Sequence, residues 1–138
     1  MFQVLDQLNW LAVGVATIAS FVLGALWFTP LFGKTYDTAM GYKRGKDQTF
    51  TPIYYIGPFI GSLATTLATA VLLYGANIDA MSDAITLCLI VGIGYAASVS
   101  FVNAINPKTP RPLLYGAVTG GYHIASILLV GVVLSAIK

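Results

Sequence analysis

The chain has 138 residues, 57 % of them hydrophobic and 9 % charged, with seven Lys or Arg, five Asp, no Glu and a net charge of +2. Soluble domains carry roughly a quarter charged residues, so this is a membrane protein's composition, with room for four spans of about 20 residues and little for a soluble domain beside them. So small a charge excess excludes a nucleic-acid partner, and the single Cys excludes an intrachain disulfide framework.

The first apolar stretch, residues 8–28, contains no charge and has Trp10 and Trp27 near its ends, where amphipathic rings favour the headgroup zones. It is a full span. No Lys or Arg precedes it and no cleavage site is evident, so it is expected to be retained rather than removed as a signal peptide. Asn9 lies near one membrane surface and Asn103 near the other, each a candidate helix cap.

Residues 29–51 form the longest polar break and hold Lys34, Lys43, Arg44 and Lys46 with Asp37 and Asp47. Within it Phe32, Tyr36, Ala39 and Met40 fall at helical spacing and Gly41 can end the turn, which predicts a short interfacial helix. The second span, residues 52–74, begins at a proline suited to a first helical position, while Pro58 one turn inside is expected to loosen or kink it. The third span is residues 84–102. Pro107 and Pro110 then break the chain before the fourth, residues 112–137. The fold class is therefore an all-α integral membrane protein, one four-helix transmembrane domain with a short interfacial helix in its first loop.

Loops one and three hold six of the seven cations and Lys138 the seventh. The positive-inside bias then places those loops in the cytoplasm and both termini outside a cell inner membrane.

Helices in lipid associate by close packing through small residues. The first span offers Ser20 and Gly24, the second Gly57 and Gly61, the fourth Gly116 and Gly120, and the third a row through Gly92, Ala96 and Ser100. Four such rows exceed what one small bundle needs internally, so a homo-oligomer is expected, with its contact on the first or fourth span.

His123 is the one imidazole and falls near the middle of the fourth span, where an ionisable side chain is a functional candidate by default. Tyr115, Thr119, Tyr122 and Ser126 accompany it on a polar stripe, and Tyr95 and Thr65 are further candidates from the third and second spans. An imidazolium without a counter-charge is costly at that depth, so a neutral ring, both donor and acceptor, is expected. Two roles stay open: a tie to Thr119, Ser126 or another helix, and a contact to a ligand or proton.

All five carboxylates lie in loops or at span edges, so no span carries an acidic pair. One His and one Cys make no intrachain zinc site, and no span holds a Lys for a Schiff base, so neither metal nor cofactor is expected. The expected protein is a non-enzymatic membrane protein that binds or transports a small solute near His123, in contact with lipid. A purely structural assembly subunit, or an intramembrane enzyme completed by another component, are the other readings.

The run Asn9-Trp10-Leu11-Ala12-Val13, then Gly24, Trp27-Phe28 and Pro30-Leu31-Phe32-Gly33-Lys34, then Ala39-Met40-Gly41, and later Gly121-Tyr122-His123 with Gly131, resembles a family of small bacterial integral membrane proteins known as a domain of unknown function. The resemblance spans nearly the whole chain, through hydropathy alone in the middle. It implies four spans and carries no established activity.

Overall fold

Backbone groups in hydrocarbon must be satisfied within their own segment, so a chain this apolar folds as helices. The computed structural model describes residues 2–137, and no strand occurs among them. Four helices are long and apolar enough to cross a membrane: α1 (Trp10–Leu31), α3 (Ile53–Gly75), α4 (Met81–Ala104) and α5 (Pro112–Ala136). A 3-10 helix at Phe2–Gln7 precedes α1, and α2 (Gly33–Met40) supplies the expected short helix in the first loop, closed by Gly41 in the left-handed conformation at φ 65°. Lys138, which carries part of the orientation argument, lies outside the described residues.

Asn9 caps α1, its Oδ1 accepting from the Leu11 and Ala12 amides at 3.1 Å each. Its Nδ2 donates to the Ile137 carbonyl at 3.2 Å, which fastens the start of α1 to the end of α5. The other expected cap is displaced. Asn106, not Asn103, ends α4 by donating from Nδ2 to the Asn103 carbonyl at 2.8 Å. Loops one and three meet at the opposite end of the bundle, where the Arg111 amide donates to the Ala39 carbonyl at 3.2 Å.

Two helices depart from α geometry where the sequence pattern showed a plain helix or an end. Pro30 has no amide proton to give, and α1 widens into a π turn over Trp27–Leu31, closed by the Phe32 amide on the Trp27 carbonyl at 2.8 Å. The first span therefore runs beyond residue 28, and Trp27 turns inward, donating from Nε1 to the Val118 carbonyl at 3.0 Å. In α4 a second π turn covers Gly92–Ala97, and Ser98 Oγ supplies a donor to the Ile93 carbonyl at 2.8 Å. The buried positions step by four through Ala84, Cys88 and Gly92, then by five to Ala97, so the inward face is carried by Ala97 rather than by the expected Ala96. Pro58 leaves α3 unbroken, because it falls so near the helix start that only the first-turn Tyr54 carbonyl loses its donor.

The tightest packing lies at the Asn9 end, where Ala12, Ala16, Ala70, Ala84 and Val130 are fully buried. Small side chains let these backbones approach. Gly116 and Gly120 receive the Phe101 ring of α4, which would stand 2.6 Å and 3.3 Å from a Cβ built at the two positions. Both glycines, like Gly24 against Tyr122, are filled by contacts within the chain, so these three expected packing positions are used internally. Gly57 and Gly61 instead have no atom within 4 Å of a built Cβ.

Candidate functional site

At the loop-one end, α3 stands away from α1 and α5. Every residue in 53–61 is exposed, including those that face the other helices. The separation leaves a cavity of about 860 Å³ that runs from Asp37, Arg44 and Gln48 in loop one to a floor of serines at mid-bundle.

The floor joins three spans. Ser20 Oγ of α1 lies 2.8 Å from Ser126 Oγ of α5 and donates to Ser62 Oγ of α3 at 3.3 Å, with all three side chains buried. One hydroxyl carries one proton, so with Ser20 donating to Ser62, Ser126 must donate to Ser20. The other hydroxyls mostly satisfy themselves one turn back, as Thr17 does on the Val13 carbonyl, Thr69 on Thr65 and Thr119 on Tyr115, each at 2.8 Å. Thr66, wholly buried on α3, is the one buried side chain among the described residues with an unpartnered polar atom.

Aromatic rings make the walls. Phe28 meets Tyr36 edge-on at 5.2 Å and Tyr122 at 5.0 Å, and Tyr36 lies 5.6 Å from Tyr115. Burial, with Tyr115 beside it, pushes the Tyr36 phenol up to about 12, so it stays a neutral donor. At the mouth Arg44 grips Asp37, Nε to Oδ2 at 2.8 Å and Nη2 to Oδ1 at 3.1 Å, and Nη2 also donates to the Phe28 carbonyl at 3.0 Å. Phe28 O is set in the π turn, where bonding is altered, so Arg44 ties α2 and its loop to the widened end of α1. The Phe50 ring sits 6.0 Å from the same guanidinium.

Of the residues singled out in the sequence, His123, Tyr122, Thr119, Ser126 and Thr65 all line this cavity. Tyr95 does not. It lies within the π turn of α4, whose buried positions are Gly92 and Ala97, and is 70 % exposed on the outer side. Ser20, Gly24 and Gly61 line the cavity as well, in addition to any packing role, while Gly57 lies outside it. His123 contacts the Tyr122 ring at 5.3 Å, and among the described residues no group hydrogen-bonds its imidazole. Ser126 is committed to Ser20 and Thr119 to a carbonyl, so neither of the two expected ties on its own helix forms.

The loop-one contribution had no signal in a helical pattern. Tyr42, Arg44 and Gln48 reach the cavity only because the loop folds back over the bundle, with Tyr42 donating from its hydroxyl to Gln48 Oε1. Cys88 packs against Gly131 at the α4–α5 contact, away from the cavity, and no cluster of three or more metal-ligating side chains occurs among the described residues.

Fold and site together define a four-span helical membrane protein with a cleft between its first, second and fourth spans. The chain belongs to the family described as "protein of unknown function (DUF1761)", whose model matches residues 11–135. No curated relative and no solved structure matches it.

Proposed function

We propose that the protein binds a small molecule in the cleft, without catalysing its conversion, and that His123 is the group that recognises it. The observation that carries this is an imidazole halfway along a spanning helix, lining a cavity and left without a protein partner. A half-buried polar side chain without a partner is costly at the depth of a membrane interior, and a ligand that supplies one removes that cost. The volume falls within the roughly 300–1,000 Å³ of small-molecule sites. A non-enzymatic role accords with carboxylates confined to loops and span edges, and with the only one in the lining, Asp37, held by Arg44.

Native mass spectrometry of protein extracted in mild detergent tests the reading. A co-purifying adduct that His123→Leu loses, at unchanged thermal stability, supports it. An unchanged adduct, or loss of stability with no adduct in the parent, assigns His123 to the bundle's architecture.

The cation distribution supports an inner-membrane orientation with loops one and three in the cytoplasm. Reporter fusions at the C-terminus that are active only in the cytoplasm refute it. Self-association, if it uses a small-residue face, is best served by the open row at Gly57. Gly57→Leu then weakens oligomers seen in the same spectra.

A further inference from the structure

Building on that reading, we infer that the ligand of the cleft is an uncharged amphiphile with a planar, oxygen-bearing head, of the quinone type, that enters from the hydrocarbon beside α3. Charge is the first argument. Asp37 and Arg44 are the only lining groups of fixed charge, and they are bound to each other by two contacts of 2.8 and 3.1 Å. No cation is left over for a phosphate or carboxylate, and no carboxylate for a lipophilic cation. A charged head in this site would stay uncompensated in a low-dielectric setting.

Depth is the second. His123 lies midway along α5, with the serine floor one turn further in. Phospholipid heads stay at the interface, whereas an uncharged head is cheap enough to desolvate that it reaches the midplane. A carbonyl or hydroxyl on it pairs with a neutral imidazole, which donates from one nitrogen and accepts at the other.

Shape is the third. Nine of the lining side chains are Phe or Tyr, and Phe28 and Tyr122 stand on the α1 and α5 side with Tyr54 and Tyr55 on α3. Aromatic walls favour a flat head in offset or edge-on contact at about 4.5–7 Å. The way in follows from α3, whose residues 53–61 are all exposed although Phe59 meets the Phe21 ring edge-on at 5.6 Å, and from Gly61, where a built Cβ meets nothing within 4 Å. An apolar tail leaves along that opening without crossing the polar mouth.

The test uses the full chain in nanodiscs with Trp10→Phe, which leaves Trp27, whose ring is 6.3 Å from that of Tyr122, as the reporter. Decylubiquinone is the uncharged probe and tetraphenylphosphonium the charged control. Saturable quenching by decylubiquinone, weakened tenfold or more by His123→Leu and by Tyr55→Ala, is the expected result. Tyr55 is 56 % exposed and makes no hydrogen bond through its side chain, so this second variant keeps the test valid should the first not fold. Saturation by tetraphenylphosphonium alone overturns the inference while leaving a ligand cleft in place. Quenching that stays linear with both probes overturns it also, whether the cleft is empty or filled by a second copy of the chain. The adduct measurement on His123→Leu then decides separately whether the cleft binds anything.

Discussion

Gly24 of α1 and Tyr122 of α5 meet so closely that a Cβ on the glycine would lie 2.9 Å from the phenolic oxygen and 3.4 Å from the ring. The hydroxyl is the tighter contact. Gly24→Ala is therefore expected to destabilise the bundle by about 1 kcal/mol, the low end of overpacking costs. Removing only the clashing atom, in Gly24→Ala combined with Tyr122→Phe, should restore most of the loss, as read by thermal unfolding in detergent. Gly14→Ala, with nothing within 4 Å, serves as the control and should be neutral or slightly stabilising through helix propensity.

Tyr36 gives a pH prediction. Its ordinary value of 10.0 is raised to about 12 in the folded protein, by burial first and by Tyr115 second. The folded state therefore holds this proton more tightly than the unfolded state. The associated stability is fully present below pH 10 and is lost as pH rises from 10 to about 12. Absorbance titration of the phenolate should show one tyrosine ionising late. Tyr115→Phe should shift that step to lower pH, and an unmoved step would mean that burial alone sets it.

Arg44 and Asp37 are 31 % and 16 % exposed, so their pair is worth at most about 1 kcal/mol of global stability. Its expected effect is local. Arg44→Gln frees both Asp37 and the Phe28 carbonyl, and should raise amide hydrogen exchange across α2 several-fold while the thermal midpoint moves little. Salt should act in the same direction on the parent protein. An exchange pattern unchanged by Arg44→Gln would show that α2 is held by its other contacts, such as the Arg111 amide on the Ala39 carbonyl.

The four spans and the short loop helix were readable because their causes are local: uninterrupted apolar length, a proline at the start of α3, and Gly41 at the end of α2. The polar stripe around His123 was readable for the same reason, since Tyr115, Thr119, Tyr122, His123 and Ser126 all line the cavity from one helix. Tyr95 was a candidate only as a polar residue of the third span, and the π turn that turns Gly92 and Ala97 inward and leaves Tyr95 outside is not visible in a helical pattern. The mouth of the cleft was not legible at all. Arg44 and Gln48 reach it through the path of a loop, and only the tertiary structure fixes that path. The small-residue rows announced that glycines would pack, but not against what. That Gly116 and Gly120 would receive Phe101 depends on how α4 lies against α5, and that Gly57 would meet nothing depends on how far α3 stands from its neighbours.

The serine floor offers the most direct measure of what holds α1, α3 and α5 together beneath the cleft. Ser20 is the middle member, 2.8 Å from Ser126 and 3.3 Å from Ser62, so Ser20→Ala removes both interhelical bonds and either outer substitution removes one. Hydrogen bonds between spans average about 0.6 kcal/mol and reach about 1.7, because helices separated in the membrane still find partners. Ser62→Ala is therefore expected to cost about 0.6 kcal/mol, Ser126→Ala somewhat more for its shorter bond, and Ser20→Ala roughly the sum. A double-mutant cycle between Ser20 and Ser126, followed by reversible denaturation in detergent, should return a coupling of the same order and leave Ser62→Ala additive with Ser126→Ala. If Ser20→Ala costs no more than Ser62→Ala, the three hydroxyls do not act as one relay, and close packing of the buried alanines at the Asn9 end holds the spans.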